Sequence, residues 1–564
     1  MTWPPSPQPQ QPQPPQGEFG APFEPLEPMR PTQPAQGYGQ QHPSQSQPQP
    51  GPYGYGHGYG RPQQPYPAGP ATGGPAGRNP SGRRRTALVA AVIAGVLVAG
   101  GGVWFAVGGG DDGKKPVAHG SADAKQPTAS QPASPTADAE VVDTVAPVDE
   151  LNTARKPGEA KALWMRVNGV DVPRGGADVY GPWLTGDIVA KGMYRTVSAY
   201  SAADGTRKWT LRLPADLCAA PTLPTTDGKI VVALKESASS DSVCSVLQMI
   251  DLRSGATGWK KSVERKGVQD LLSGEAMSIS GDLVTFGRLT SSVGLRVSDG
   301  KEVFGKRQGA CQPFAFTSGP RPLAATSCRT DADEQDKQQV EAIDPATGKP
   351  TWTYRVKTGW RIAQVYSVSP PVISLKKGPG ETGAWGIITL RDDGTYRSQM
   401  TGGKNEDYVT TCDVDLVVSG RNLDGCAGAA ADDDTFYLAT KPVTVDSALT
   451  NKVVAFDLNT GKAKWRAAAP AGQFMQPLRM DGRNVIVRVE ATYEKGGAVA
   501  VLAPTGGAPK MLLRHPASAS TSESSFDMSR LVYAGGRSIL VNARVSANDD
   551  KEERTVETVL VFGP

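Results

Sequence analysis

The chain has 564 residues, 60 basic and 56 acidic, and a formal net charge of +4. That length exceeds one ordinary compact core and leaves a ring, a solenoid or several domains. The near-balance of charge gives no electrostatic ground for a nucleic-acid partner.

In chain order, residues 1–82 hold far more than their share of the 48 prolines, as in MTWPPSPQPQQPQPPQG and GPYGYGHGYGRPQQPYPAGP. Such a segment lacks the apolar side chains that would offset its ordering entropy. It reads as a disordered Pro/Gln/Gly-rich tail with polyproline II character, either solvated or used for docking through its tyrosines and prolines.

Residues 83–108 follow, RRRTALVAAVIAGVLVAGGGVWFAVG, in which the 22 residues 86–107 carry no charge. As a helix rising about 1.5 Å per residue they cover ~30 Å, the thickness of a bilayer's hydrocarbon. Arg83, Arg84 and Arg85 precede the run, and Asp111 and Asp112 follow it. The positive-inside rule then keeps the tail cytoplasmic and the C-terminal bulk outside, a bias weakened by Lys114 and Lys115. The 85 residues before the run are far too many for a signal peptide's n-region, and no lipobox cysteine lies beside it. The expectation is a single-pass protein of a bacterial cell membrane. Ala91, Gly95 and Ala99 recur every fourth residue, as in helix pairs that pack closely and equally in ordinary membrane spans. Residues 109–160, rich in Ala, Ser, Thr, Pro and Asp, read as a flexible extracytoplasmic linker.

All six cysteines lie beyond the span, as the sequence-local pairs Cys218 and Cys244, Cys311 and Cys328, Cys412 and Cys426. An even number in an oxidising compartment reads as structural disulfides, with neighbour pairing one of many possible connectivities. No pair has C-x₂-C spacing and the whole chain has four histidines, so no metal site is expected.

From residue 161 onward the chain repeats itself. Aligned on a glycine, the copies are VSAYSAADGTRKW (Gly205), LQMIDLRSGATGW (Gly255), GLRVSDGKEVF (Gly300), VEAIDPATGKPTW (Gly348) and VVAFDLNTGKAKW (Gly461). Two degraded copies are IITLRDDGTYRSQM (Gly394) and AVLAPTGGAPKML (Gly506). Successive glycines are 50, 45, 48, 46, 67 and 45 residues apart, and in the long gap AAADDDTF and PVTVDSALTN look like loop insertions. Each copy is a β-hairpin: an apolar strand, a turn whose glycine takes positive φ, and an outgoing strand. The outgoing strand carries an aromatic residue four positions after the glycine, at Trp209, Trp259, Phe304, Trp352 and Trp465. Indoles at equivalent points of successive sheets stack between neighbours, burying about 150–250 Å² each. The turn aspartates Asp204, Asp299, Asp344 and Asp457 are expected to accept hydrogen bonds from their own turn amides.

Between signatures lie further strand-like runs, KIVVAL (229–234) and GDLVTFGRL (281–289), giving about four strands per unit. That is one blade of a β-propeller. After Gly506 the chain supplies three strands and stops, while KALWMRVNGV (161–170) offers a lone strand with Trp164. The lone strand completes the last blade, and both ends of the domain seal the ring. Residues 161–564 therefore read as an all-β, eight-bladed propeller of four-stranded antiparallel blades, or seven-bladed if degraded copies merge.

The signature, ID/FD-x-x-TGK-x-x-W, resembles the pyrroloquinoline-quinone-type propeller repeat. Members of that family include quinone-dependent dehydrogenases and a non-enzymatic subunit of the outer-membrane protein assembly machine. The resemblance implies for the enzymes a cofactor capped by adjacent cysteines and a calcium held in the funnel by Glu, Asn and Asp. This sequence has no adjacent cysteines and one histidine in the repeat region, His515. The fold is carried over and no catalytic, cofactor-binding or metal residue is. A hydrolase triad is disfavoured, with His515 its sole candidate base. The acidic stretches DADEQD (331–336), ADDD (431–434) and ANDDKEE (547–553) lack the spacing of a calcium loop and read as solvated loops.

The functional expectation is a membrane-anchored, non-catalytic binding or scaffold module for an envelope protein or polymer. The alternatives are a diverged quinone-dependent dehydrogenase and a transmembrane sensor with the tail as effector. Partner identity, binding face and oligomeric state stay open.

Overall fold

The computed structural model describes residues 143–564, except 240, 266–273, 329–336, 378–383, 404–405, 409–421, 446–447 and 527–528. The tail, the expected span with Arg83, Arg84 and Arg85, the DADEQD stretch and Cys412 lie outside the described residues. Among the described residues no helix is long and apolar enough to cross a membrane.

Eight antiparallel sheets follow one another along the chain. Seven are consecutive meanders: blade 1 (177–212), blade 2 (217–262), blade 3 (276–304), blade 4 (312–355), blade 5 (360–399), blade 6 (429–468) and blade 7 (475–514). Blade 8 joins Arg530–Ala534, Arg537–Val541 and Glu557–Gly563 to Lys161–Asn168 from the other end of the domain. The ring is thus eight-bladed and sealed by both ends, and the degraded signatures at Gly394 and Gly506 each belong to a blade of their own. Residues 143–152, assigned to the linker from composition, instead belong to the domain. Asp143–Ala146 adds a fifth strand to blade 8, and the helix Asp149–Asn152 is tied down by Asn152, whose side chain bonds both the N–H and the carbonyl of Ala162.

The first strand of each blade lies innermost, and those of blades 3 and 4, 5 and 6, and 6 and 7 pack against each other. Second strands are covered on both faces, so Ile188–Met193, Leu283–Gly287 and Thr435–Ala439 are buried at every residue. This gives apolar runs rather than alternation. Outer strands such as Thr257–Ser262 are exposed or half-buried along their length.

Each signature forms as its residues dictate. The seven turn glycines, Gly205, Gly255, Gly300, Gly348, Gly394, Gly461 and Gly506, all have φ between 68° and 82°. Five of them donate their N–H to the carbonyl four residues earlier, as Gly255 does to Asp251 at 2.8 Å. The aspartates accept from the turn as expected: Asp204 from Thr206, Asp299 from Lys301, Asp344 from Ala346 and Asp457 from Asn459. A register shift precedes the aromatic residue and re-aims it. Its cross-strand partner is small: Ala199 opposite Trp209, Gly294 opposite Phe304, Ala342 opposite Trp352 and Ala455 opposite Trp465.

Each aromatic ring then lies on the turn glycine of the following blade. A Cβ at Gly205 would meet Trp164, one at Gly255 would meet Trp209, and the series continues with Trp259 under Gly300, Phe304 under Gly348, Trp352 under Gly394 and Trp465 under Gly506. The indole N–H groups donate onward to that same turn, Trp209 to the Leu252 carbonyl at 3.1 Å and Trp259 to that of Val297 at 2.8 Å.

The long gap brings one correction and one expectation met. AAADDDTF is no insertion: Ala429–Ala431 is the inner strand of blade 6, and Asp432 closes the tight turn into Thr435–Ala439. PVTVDSALTN is an insertion, folded as a second hairpin from Val443–Val445 and Ala448–Thr450. The acidic stretch at 547–553 is also more than a solvated loop. Asp549 caps the helix Asp550–Glu553, and the buried Glu553 accepts from the Val172 amide at 2.7 Å.

Candidate functional site

The centre of a propeller is a channel lined by the innermost strands. Here residues 422–424 cross it. Asn422 accepts from the Met277 amide of blade 3 at 2.8 Å and donates to the Ala220 carbonyl beside blade 2 at 2.9 Å. The Leu423 carbonyl accepts from the Val365 amide of blade 5 at 2.8 Å. Asp424 accepts from the Ser318 amide beside blade 4 and, at 3.2 Å, from the Thr222 hydroxyl beside blade 2. Blade 6 begins five residues later at Ala429, across the ring from blade 2. The chain therefore crosses its own channel at residues 422–424, with Asn422 and Leu423 buried. Burial pushes the Asp424 carboxyl above its usual range, against the bonds from Ser318 and Thr222 that pull it down.

The quinone cofactor that the resemblance implies for its enzymes does not fit these residues. Its capping pair of adjacent cysteines is absent from the sequence, and the middle of the funnel is occupied by the side chains of residues 422–424. Among the described residues no three His, Cys, Asp or Glu side chains converge as metal ligands would.

A second constellation sits between blades 7 and 8. His515 Nδ1 is 2.6 Å from Glu523 Oε1, and its Nε2 is 2.7 Å from Ser538 Oγ. These are the contacts of a Ser-His-Glu triad, but the setting is structural. Ser538 lies in the strand Arg537–Val541 with 0% exposure, and the imidazole stacks on Phe562 with ring centroids 3.9 Å apart. Glu523 also accepts from the Gly497 amide at 2.8 Å. No substrate reaches such a serine, so the relay fastens two blades. Sequence reasoning left His515 without partners, because spacings of 8 and 23 residues match no motif.

A third constellation closes the ring between blades 8 and 1. The buried Asp143 carboxylate lies 3.4 Å from Lys191 Nζ and 4.0 Å from Arg166, and accepts the Tyr200 hydroxyl. Arg166 lies over the Tyr200 ring and donates to the Gly205 carbonyl. Burial pushes the Lys191 ammonium below its usual range, opposed by Asp143. Composition hid this cluster, since Asp143 stands in a stretch that reads as linker.

The sequence-predicted residues are distributed rather than convergent. Trp164, Trp209, Trp259, Phe304, Trp352 and Trp465 sit at six separate blade junctions. Cys218 pairs with Cys244 within blade 2, and Cys311 with Cys328 within blade 4. Cys426 is also disulfide-bonded.

The family described as outer membrane protein assembly factor BamB matches residues 153–312 and 336–545, more than half of the chain. No curated protein matches in sequence. Among solved structures, BamB from Moraxella catarrhalis is 15% identical with a TM-score of 0.37, covering 68% of this chain and 96% of its own. The quinohemoprotein alcohol dehydrogenase of Comamonas testosteroni is 12% identical with a TM-score of 0.38, covering 68% and 75%. A europium-containing methanol dehydrogenase is 11% identical with a TM-score of 0.39, covering 74% and 94%.

Proposed function

The chain belongs to the family of the outer membrane protein assembly factor BamB, and from that premise we propose that its propeller is a non-catalytic binding module. It holds a protein or polymer of the cell envelope and is presented outside the cytoplasm by the apolar span at residues 83–108. The observation that carries this reading is the channel crossed by residues 422–424. Residues 422–424 bond to blades 2, 3, 4 and 5 where an enzyme of this fold would keep a cofactor. The buried relay at Ser538 offers no reactive surface either. The intrablade disulfides support an oxidising location. What remains for function is the surface of the ring, where loops on a rigid scaffold recognise partners.

Chemical cross-linking on intact cells tests this. We expect the same envelope protein or polymer to be recovered with the full-length chain in independent preparations. Recovery of unrelated neighbours only, or reduction of a redox dye by the purified protein with pyrroloquinoline quinone, calcium and an alcohol or sugar, would contradict it.

A further inference from the structure

We propose that Asp143 and Lys191 condense into an isopeptide bond, a covalent link that the chain makes by itself and that seals the ring between blades 8 and 1. The link goes beyond the binding-module reading and does not depend on it. Asp143 opens the strand added to blade 8, and Lys191 lies on Ile188–Met193, the second strand of blade 1. The ion pair between them is the starting state.

The cluster is arranged as reactants rather than as a finished ion pair. Both side chains are out of water, with 4% of Lys191 and 1% of Asp143 exposed. A charge-assisted hydrogen bond between them would be about 2.8 Å long. Nζ instead stands 3.4 Å from Oδ2. Oδ2 accepts the Tyr200 hydroxyl, while Oδ1 accepts no hydrogen bond among the described residues, with Arg166 4.0 Å away. A buried carboxylate oxygen without a donor is costly and rare. Condensation removes it, because the product keeps a single oxygen. The amide carbonyl retains the Tyr200 bond, and the amide N–H donates to the Thr558 hydroxyl, which already stands 3.1 Å from Nζ. That hydroxyl is oriented by its own bond to the Arg166 carbonyl. The oxygen without a donor is the one that leaves.

The chemistry balances within the cluster. Burial pushes the Lys191 ammonium below its usual range, opposed by Asp143, and passing one proton to the carboxylate removes two buried charges at once. The neutral amine then attacks Cγ. The Tyr200 hydroxyl, kept protonated by burial and by Asp143, steadies the charge that forms on Oδ2. The Cγ–Oδ1 bond breaks, and Oδ1 leaves as water with the proton passed from Lys191 and a second from the attacking nitrogen. An ammonium and a carboxylate are consumed, and an amide and one water are formed. Arg166 keeps its bond to the Gly205 carbonyl and its place over the Tyr200 ring. The link has a mechanical use. Among the described residues Asp143–Ala146 pairs only with Lys161–Asn168, so a pull on its first residue would peel it from blade 8. A covalent bond from that residue to blade 1 prevents this.

The test is tryptic peptide mapping of the folded full-length protein by mass spectrometry. We expect the peptide with Asp143 and the peptide with Lys191 to emerge joined, at their summed mass less one water, with no cleavage after Lys191. Tyr200→Phe keeps the ring and removes only the hydroxyl. In pulse-labelled cells it should slow the appearance of the joined peptide about a hundredfold, as loss of one donor to a forming oxyanion does. Separate, unmodified Asp143 and Lys191 peptides from the folded wild-type protein overturn the proposal. So does a water loss confined to the Asp143 peptide, which an aspartyl succinimide gives. A joined peptide that forms as fast in Tyr200→Phe as in the wild type overturns the role given to Tyr200.

Discussion

Trp209 and Gly255 show how one residue pair carries a blade junction. The indole is buried, lies against a glycine whose φ of 74° admits it, and spends its N–H on the same turn. Trp209→Ala removes the ring and its bond, and should cost about 3–5 kcal/mol in denaturant unfolding. The Asp143 cluster follows a different rule, since its charges are out of water. Asp143→Ala leaves Lys191 and Arg166 buried without their carboxylate, and should cost about 3–5 kcal/mol on the same measurement. The first device was legible in the sequence, because glycine and aromatic stand four apart in five copies. A small residue six positions before the glycine, as at Ala199 and Ala455, is a further signal in the same repeats. The second device was not legible. Lys191, Arg166 and Asp143 meet through ring closure and share no local pattern.

At the scale of elements, the junctions without a stacked aromatic ring are fastened by polar groups. Blade 5 ends with Gln399 in place of an aromatic contact, and a Cβ at Gly461 would strike its carbonyl rather than a ring. There Thr401 donates its N–H to the Gly461 carbonyl at 2.8 Å, and Arg466 grips Glu406, which also accepts from Tyr408 at 2.6 Å. Between blades 7 and 8 the His515 relay does the same work. The Arg466 bonds, aided by Tyr408 and the Gly403 amide, pull the Glu406 carboxyl down to about 2 against a partial burial that raises it. A carboxylate held below its unfolded range stabilises the fold above that range and loses this as pH falls through the folded value. Amide protection in Ala463–Ala468, measured against the intrinsic exchange rate at each pH, should therefore fall as pH drops from about 4.5 to about 2. Glu406→Gln should show the faster exchange already at pH 7. The degraded repeats were readable as blades from their glycines. Their substitutes were not, because an ion pair between residues 406 and 466 leaves no periodic trace.

The whole molecule depends on both ends of the domain meeting in blade 8. A chain beginning at residue 171 lacks Lys161–Asn168 and exposes the edge of Glu557–Gly563. It should elute as aggregate in size-exclusion chromatography, whereas a chain beginning at residue 143 should elute as a discrete species. Blade number and closure were legible because the repeat has a fixed period and the count of strands after Gly506 falls one short. The crossing of the channel was hidden, since 422–424 is three ordinary residues between blades whose contacts come from four blades, every one more than 50 residues away in sequence. The central claim is that this ring has closed its own funnel and works by its surface. Calorimetric titration of pyrroloquinoline quinone with calcium into the purified protein tests it most directly. The account predicts no saturable heat, and stoichiometric, saturable binding would contradict it.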